Sequence, residues 1–136
     1  MILKIYRAYK ASSLYGKAVM EVSSGNDDEA FNLLKKCKEV LKGSTYSILL
    51  LEGFLHSEKN NWIDAIEISK KAKIKIANSK RLNIDEKIYL TAYANDTINY
   101  SIVKMNSEEP LLPVDVSFDI KKVDSVHKKV FKIKPR

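Results

Sequence analysis

The sequence predicts a mostly α-helical domain of about five helices, arranged as stacked antiparallel hairpins and followed by a C-terminal extended arm or β-hairpin. Apolar residues recur every three or four positions from residue 2 to about residue 105. Glycine or asparagine interrupts this spacing where helix connections are expected. After residue 106 the helical spacing stops. We therefore expect a helical domain at residues 1–105, a linker at 106–113 and a basic extended arm at 114–136.

The composition is that of a single globular domain. Of its 136 residues, 45% are hydrophobic and 30% are charged, which argues against disorder and allows a sizeable core. The single cysteine, Cys37, cannot form an internal disulfide and is expected to fill a helix face. The longest apolar run, residues 48–51, is far shorter than the roughly 18 residues of a membrane span. With no secretory signal, we expect a cytoplasmic protein that makes no membrane contact.

The first two helices are predicted at residues 2–22 and from residue 27 to about 42. The first carries an apolar stripe formed by Ile5, Tyr9, Ser12, Tyr15, Val19 and Val22. Gly25 stops it. Asn26 is predicted to cap the second helix through its side-chain oxygen, with Glu29 reaching back to the amide of the cap. Lys42 and Gly43 then provide a favoured helix end.

The third and fourth helices follow without a long connection. Ser44 or Thr45 begins the third, which runs to about residue 59 and is so apolar that a central position is predicted. Asn60 and Asn61 form the turn, and Trp62 begins the fourth helix, which ends near residue 78. Short connections of this kind make neighbouring helices antiparallel.

The fifth helix, residues 84–105, is predicted to begin at a cap formed by Asn83 with Glu86. Beyond it, Pro110 and Pro113 exclude a continuing helix. Apolar residues then alternate with polar ones over residues 114–120, which indicates a strand, and residues 130–134 form a weaker second strand. The sequence is consistent with two alternatives, a β-hairpin and an extended arm that becomes ordered against the helices or against a partner.

Small residues at fixed offsets distinguish the two predicted hairpins. Gly53 lies on the third helix, Trp62 follows the turn, and Ala65 and Ala72 are seven residues apart on the fourth helix. Ala30 lies 35 residues before Ala65. This pattern resembles the tetratricopeptide repeat (TPR), a helix–turn–helix unit of about 34 residues. Small residues of this kind let two helix axes approach closely.

The resemblance covers residues 10–79, about two repeats, and the fifth helix would be a capping half-repeat. Ser69 stands where the family prefers a large aromatic residue and Glu52 where it prefers leucine. An unrelated antiparallel bundle with the same small-residue contacts is the alternative.

The resemblance implies a concave face, lined by the first helix of each hairpin, that binds a peptide or protein element. Carried over by position, this face comprises Ser12, Tyr15, Val19 and Ser23, then Ser47, Leu50, Phe54, Ser57 and Glu58. Ordinary core packing is the alternative for Leu50 and Phe54. Tyr89, Tyr93 and Tyr100 of the fifth helix form another candidate surface, because tyrosine is enriched where proteins bind one another.

The basic charge is concentrated near the C-terminus. Residues 121–136 hold seven Lys and Arg against one Asp, a net charge of +6 out of +7 for the chain. Its candidate binding residues are Lys128, Lys129, Phe131, Lys132 and Lys134. They could follow nucleic-acid phosphates while the aromatic ring stacks on a base, steer an acidic protein, or remain solvated.

Catalytic, metal and cofactor sites are not expected. His56 and His127 lie far apart, and neither belongs to a cluster with metal-ligand spacing. The sequence has no phosphate-binding glycine loop or nucleotide fingerprint. It therefore predicts a non-enzymatic module that captures a protein with an acidic surface, as an adaptor, a chaperone or an immunity protein that covers a toxin's active site. Nucleic-acid binding through the basic tail is the alternative.

Overall fold

Five α-helices make up residues 2–106, the part of the chain that the computed structural model describes. They are α1 (Ile2–Ser23), α2 (Asp27–Leu41), α3 (Tyr46–Glu58), α4 (Trp62–Ala77) and α5 (Ile84–Met105). No strand occurs within this range. The mostly α-helical class is confirmed, and the helix ends agree with the prediction to within about two residues. The predicted linker and the arm at 114–136 lie outside the described residues.

Consecutive helices pack on one another, and α3 lies in the middle. The closest pairs are α1 with α2, α3 with α4 and α4 with α5, while α2 and α5 also touch α3. Nine of the thirteen residues of α3 are buried, so its predicted central position is confirmed. Because three other helices cover it, α3 has little surface left for solvent.

Small residues bring α3 and α4 close together. Ala65 and Ala72 are completely buried on α4. A Cβ added to Gly53 would overlap the Ser69 hydroxyl and would lie 3.5 Å from the Ala65 carbonyl oxygen. A side chain at position 53 would therefore have to displace the Ser69 hydroxyl, while the other nearby atoms lie at ordinary contact distances.

The α1–α2 pair uses small residues in the same way. Ala18 of α1 and Ala30 and Cys37 of α2 are completely buried, and each lies 35 residues before its counterpart in the α3–α4 pair. The Cys37 thiol donates a hydrogen bond to the Ala11 carbonyl oxygen at 3.4 Å. Equivalent positions therefore hold buried small residues in both hairpins.

The helix starts agree with the sequence in two cases and differ in one. Thr45 accepts a hydrogen bond at 3.3 Å from a backbone amide in the first turn of α3. Asn83 and Glu86 form the predicted capping box, with bonds of 2.8 and 3.1 Å. The predicted Asn26 cap is wrong, since the Asn26 side-chain amide donates to Glu21 at 2.8 Å and makes no cap bond. The Asn26 side chain bonds to the Glu21 carboxylate of α1 instead of capping α2.

Ion pairs link the two hairpins. Glu52 is buried on α3, and its carboxylate lies 2.8 Å from the Lys38 ammonium of α2. Lys59, at the other end of α3, pairs with Asp28 of α2. Glu52 occupies a position where the repeat pattern prefers leucine, and its charge is accommodated because Lys38 reaches it.

The first part of α1 extends beyond α2. With 22 residues against 15, α1 is about 33 Å long and α2 about 22 Å. Every buried residue of α1 lies between Ala11 and Val22. The predicted continuation of the apolar stripe into Ile5 and Tyr9 is wrong as a buried face, because these side chains are 71% and 75% exposed. We call residues 2–10 the α1 extension.

Replacing a glycine inside a helix with alanine gains about 1 kcal/mol of helix propensity. A Cβ at Gly16 of α1 would meet no atom within 4 Å, so Gly16→Ala should raise the melting temperature by a few degrees. Gly53→Ala should lose this gain, because the new methyl group must displace the Ser69 hydroxyl. Circular dichroism during heating measures both changes.

The double variant Gly53→Ala/Ser69→Ala is the control. It should melt higher than Ser69→Ala alone, since the Ser69 Cβ lies at an ordinary contact distance of 3.6 Å. Equal gains at Gly16 and Gly53 in the otherwise native chain would show that no close contact exists.

The ion pair between buried Glu52 and partly exposed Lys38 should respond asymmetrically to substitution. Lys38→Met leaves the Glu52 carboxylate without its partner and should cost about 2 kcal/mol, less than in a fully buried pair because the Lys38 side chain is 38% exposed. Glu52→Leu removes the charge together with its desolvation penalty, so its stability should stay within about 1 kcal/mol of the native value. Urea unfolding measures both, and the double variant should recover most of the loss. Equal losses in the two single variants would contradict this account.

Candidate functional site

A groove lies between α1, the start of α3 and the connection from α4 to α5. Its volume is about 510 Å³, a size suited to several side chains of a ligand. The lining residues are Lys4, Ile5, Ala8, Ala11, Ser12, Tyr15, Leu41, Thr45, Ile48 and Arg81. Most of these side chains are apolar. The two charged ones are both basic.

Exposed apolar side chains continue from the groove over the α1 extension. Ile2, Leu3, Ile5, Tyr6 and Tyr9 are all more than half exposed, and Ile5 also lines the groove. Contiguous apolar surface of this kind marks interaction sites in proteins that expose it. The groove is therefore one part of a larger apolar surface that begins at the N-terminal end of α1.

The groove lies at the basic end of the helical domain. Antiparallel packing brings the start of α1, α3 and α5 together with the end of α2 and α4; the Lys75 ammonium, for example, donates to the Ser44 carbonyl oxygen at 2.5 Å. Residues 2–10, 35–46 and 69–90, which we call the basic end, hold 14 Lys and Arg against three Asp and Glu. The rest of residues 2–106 holds three basic residues against nine acidic ones. The net charge of the chain conceals this separation.

The residues predicted on the concave face are distributed differently. Five of them are buried: Tyr15, Val19, Ser47, Leu50 and Ser57. Phe54 is half-buried against the core and Glu58 is exposed, so these two remain accessible to a partner. Of the predicted first-helix set, Ser12 and Tyr15 line the groove. A binding role for Phe54 and Glu58 stays a prediction.

The tyrosines predicted as another binding surface on α5 make contacts within the fold. The Tyr89 and Tyr93 hydroxyls lie 3.2 Å apart, and their rings meet edge to face at 5.1 Å. Tyr100 packs edge-on against Trp62 with ring centroids 6.0 Å apart, which joins α5 to α4. The binding residues predicted in the tail lie outside the described residues; they are Lys128, Lys129, Phe131, Lys132 and Lys134.

Burial disfavours the charged forms of two titratable side chains, Cys37 and Tyr46. Burial raises the pKa of Cys37 to about 11, so its thiol stays protonated at neutral pH. Burial likewise raises the pKa of Tyr46 to about 12. His56 packs against the Phe31 ring, with centroids 5.0 Å apart. These groups have packing roles in the structure.

Several groove residues escaped the sequence analysis. Lys4 and Ala8, Leu41, and Arg81 belong to three separate parts of the chain, and none of them stands out alone. One signal was available, because the α1 extension has apolar residues at positions 2, 3, 5, 6 and 9. That is too many for one buried helix face, so some had to lie on the surface or at a partner.

Comparisons with protein-family models, with curated proteins and with solved structures found no match to this chain. Among the helices of residues 2–106, none combines the length and the hydropathy needed to cross a bilayer. Over the same residues, no three His, Cys, Asp or Glu side chains are grouped in a way that could hold a metal ion. The groove and its surrounding charges remain as the features that carry functional information.

Glu58 supplies a pH-dependent term in stability. Although the Glu58 side chain is exposed overall, partial desolvation of its carboxylate and next the charge of Asp27 raise its pKa. The folded state therefore binds this proton more tightly than the unfolded chain, and the ionised carboxylate costs stability at neutral pH. That cost is relieved as the pH falls through the raised pKa. Glu58→Gln should thus be more stable than the native protein at neutral pH, with the difference vanishing in acid.

Urea unfolding at a series of pH values measures this effect. Glu67→Gln, at an exposed position of α4, is the matched control and should show no such pH-dependent gain. An unchanged difference between Glu58→Gln and the native protein at all pH values would exclude a raised pKa.

Proposed function

We propose that this chain is a non-catalytic protein-binding module that holds a segment of a partner protein in the groove between α1 and α3. The observation that carries the proposal is a preformed, mostly apolar groove continuous with the exposed apolar side chains of the α1 extension. Exposed surface of this type is costly in water unless a partner covers it. Binding by shape and apolar contact needs no chemical step.

We also propose that the hairpins stack in a TPR-like manner. The 35-residue offset between completely buried small residues supports this, as does the contact of α3 with α5 across the intervening helix. In such a stack the first helices of the hairpins, here α1 and α3, line the binding face. Six of the ten groove residues belong to α1, and the start of α3 adds its cap Thr45 and Ile48.

An adaptor, a chaperone or an immunity protein would act through the same steric mechanism. Each covers or presents a surface of its partner, and the groove supplies the contact. Nucleic-acid binding is the second candidate, favoured by the 14 basic residues of the basic end. The groove lining favours a protein, because most of it is apolar and matches aliphatic side chains.

A photo-crosslinking amino acid at Ile5 tests the proposal in cells of the native host. The matched control position is Ile74 of α4, which is similarly exposed and does not line the groove. We expect one protein to be captured in near-stoichiometric amount from position 5 and not from position 74.

Ala8→Trp, which fills the groove from an exposed position, should abolish this capture. Ala92→Trp, at an exposed position of α5, should not. Identical sets of captured proteins from positions 5 and 74 would count against the groove as a binding site.

A further inference from the structure

We infer that the groove binds an acidic amphipathic α-helix of the partner protein. This inference rests on the proposed function and adds the chemistry of the occupant. The groove lining and the charges around it carry the argument, each considered in turn below.

The groove follows the axis of α1. The α1 residues that line it are Lys4, Ile5, Ala8, Ala11, Ser12 and Tyr15, spaced by about one helical turn. They extend over about 16 Å, or three turns. Leu41 and Ile48 form the opposite wall. A partner helix lying along this groove would insert its apolar side chains at positions i, i+3, i+4 and i+7 into it.

The charges around the groove determine which charge a bound partner must carry. Lys4 and Arg81 line it, and no acidic residue does. Lys42 and Lys80 are the chain neighbours of lining residues, and both are exposed. Arg7 and Lys10 add two further basic residues to the α1 extension. Glutamate or aspartate on the flanks of a bound helix would therefore meet basic residues at the groove.

The acidic residues that follow Arg81 in the chain belong to the start of α5. Asp85 and Glu86 occupy its first turn, a position that suits acidic side chains because of the helix dipole. The Glu86 carboxylate also accepts the Asn83 backbone amide at 3.1 Å as part of the capping box. Neither residue lines the groove.

Other occupants fit the surface less well. The α1 extension of a second copy carries Lys4, Arg7 and Lys10 and would bring like charges together. The phosphates of a nucleic acid could pair with the basic side chains. They would, however, leave the apolar walls formed by Ile5 and Ile48 against phosphate or water. An acidic amphipathic helix satisfies both the charges and the apolar walls.

Fluorescence anisotropy with the full chain tests the inference. The probe is a synthetic helical peptide with leucine at i, i+3, i+4 and i+7 and glutamate on its flanks. One control peptide replaces every glutamate with lysine, and another replaces every leucine with serine. We expect the acidic amphipathic peptide to bind at least about tenfold more tightly than either control.

Variants of the protein locate the binding. Lys4→Glu/Arg81→Glu should weaken the acidic peptide by about tenfold or more and improve binding of the lysine peptide. Lys70→Glu/Lys71→Glu removes two exposed bases outside the lining and should have a much smaller effect. Ala8→Trp should abolish binding while leaving the melting temperature unchanged.

Two results with the peptides would overturn the inference: equal binding of the acidic and lysine peptides, or peptide binding that Ala8→Trp does not change. Two other occupants would also overturn it. One is a single-stranded oligonucleotide that binds the groove more tightly than the acidic peptide, and the other is self-association that Ala8→Trp abolishes. If crosslinking from position 5 captures a partner whose bound segment is not acidic, the inference fails while the proposed function stands. If position 5 captures no partner, the proposed function itself fails.

Discussion

The contact between Gly53 and α4 is the constraint on which the helix arrangement depends. Because position 53 has no Cβ, the Ser69 hydroxyl lies where a side chain would otherwise be, and the two helices stay close. This closeness allows α5 to touch α3 as well as α4. With α4 and α5 on one side, α3 turns another side to α2, and its start at Thr45 meets α1 across the groove. The absence of a side chain at position 53 thus affects how closely α3 packs against α4, and α3 in turn contributes Ile48 to the groove.

Electrostatic asymmetry follows from the same packing order. In α2 and α4, the first turn carries acidic residues and the last turn carries a basic one, as the helix dipole favours. These two helices run in the same direction because each is the second member of a hairpin. Their local preferences therefore add, and they build one basic end. The first turn of α1 departs from the dipole rule, since it carries Lys4 and no acidic residue.

The helices could be predicted from sequence because their signals are local. Apolar spacing, the Thr45 cap and the Asn83–Glu86 box each lie within one turn of chain. The groove could not be predicted, since Ile5, Leu41 and Arg81 meet only after packing. Leu50 was transferred to a concave face by position, yet it is buried because three helices cover α3 in so short an array. Helices can be predicted because their signals lie in the local sequence. The exposure of a side chain depends on helices that are distant in sequence, which a local pattern does not include.

The separation of charge has a consequence for how the molecule meets others in salt. At about 0.1 M ionic strength, charges are screened over about 10 Å, whereas the α1 helix alone spans about 33 Å. The positive and negative poles are therefore electrically independent under such conditions. An approaching molecule senses the pole that it faces and is hardly influenced by the other. A protein of modest overall charge can thus attract anions at one tip and cations at the opposite tip at the same time.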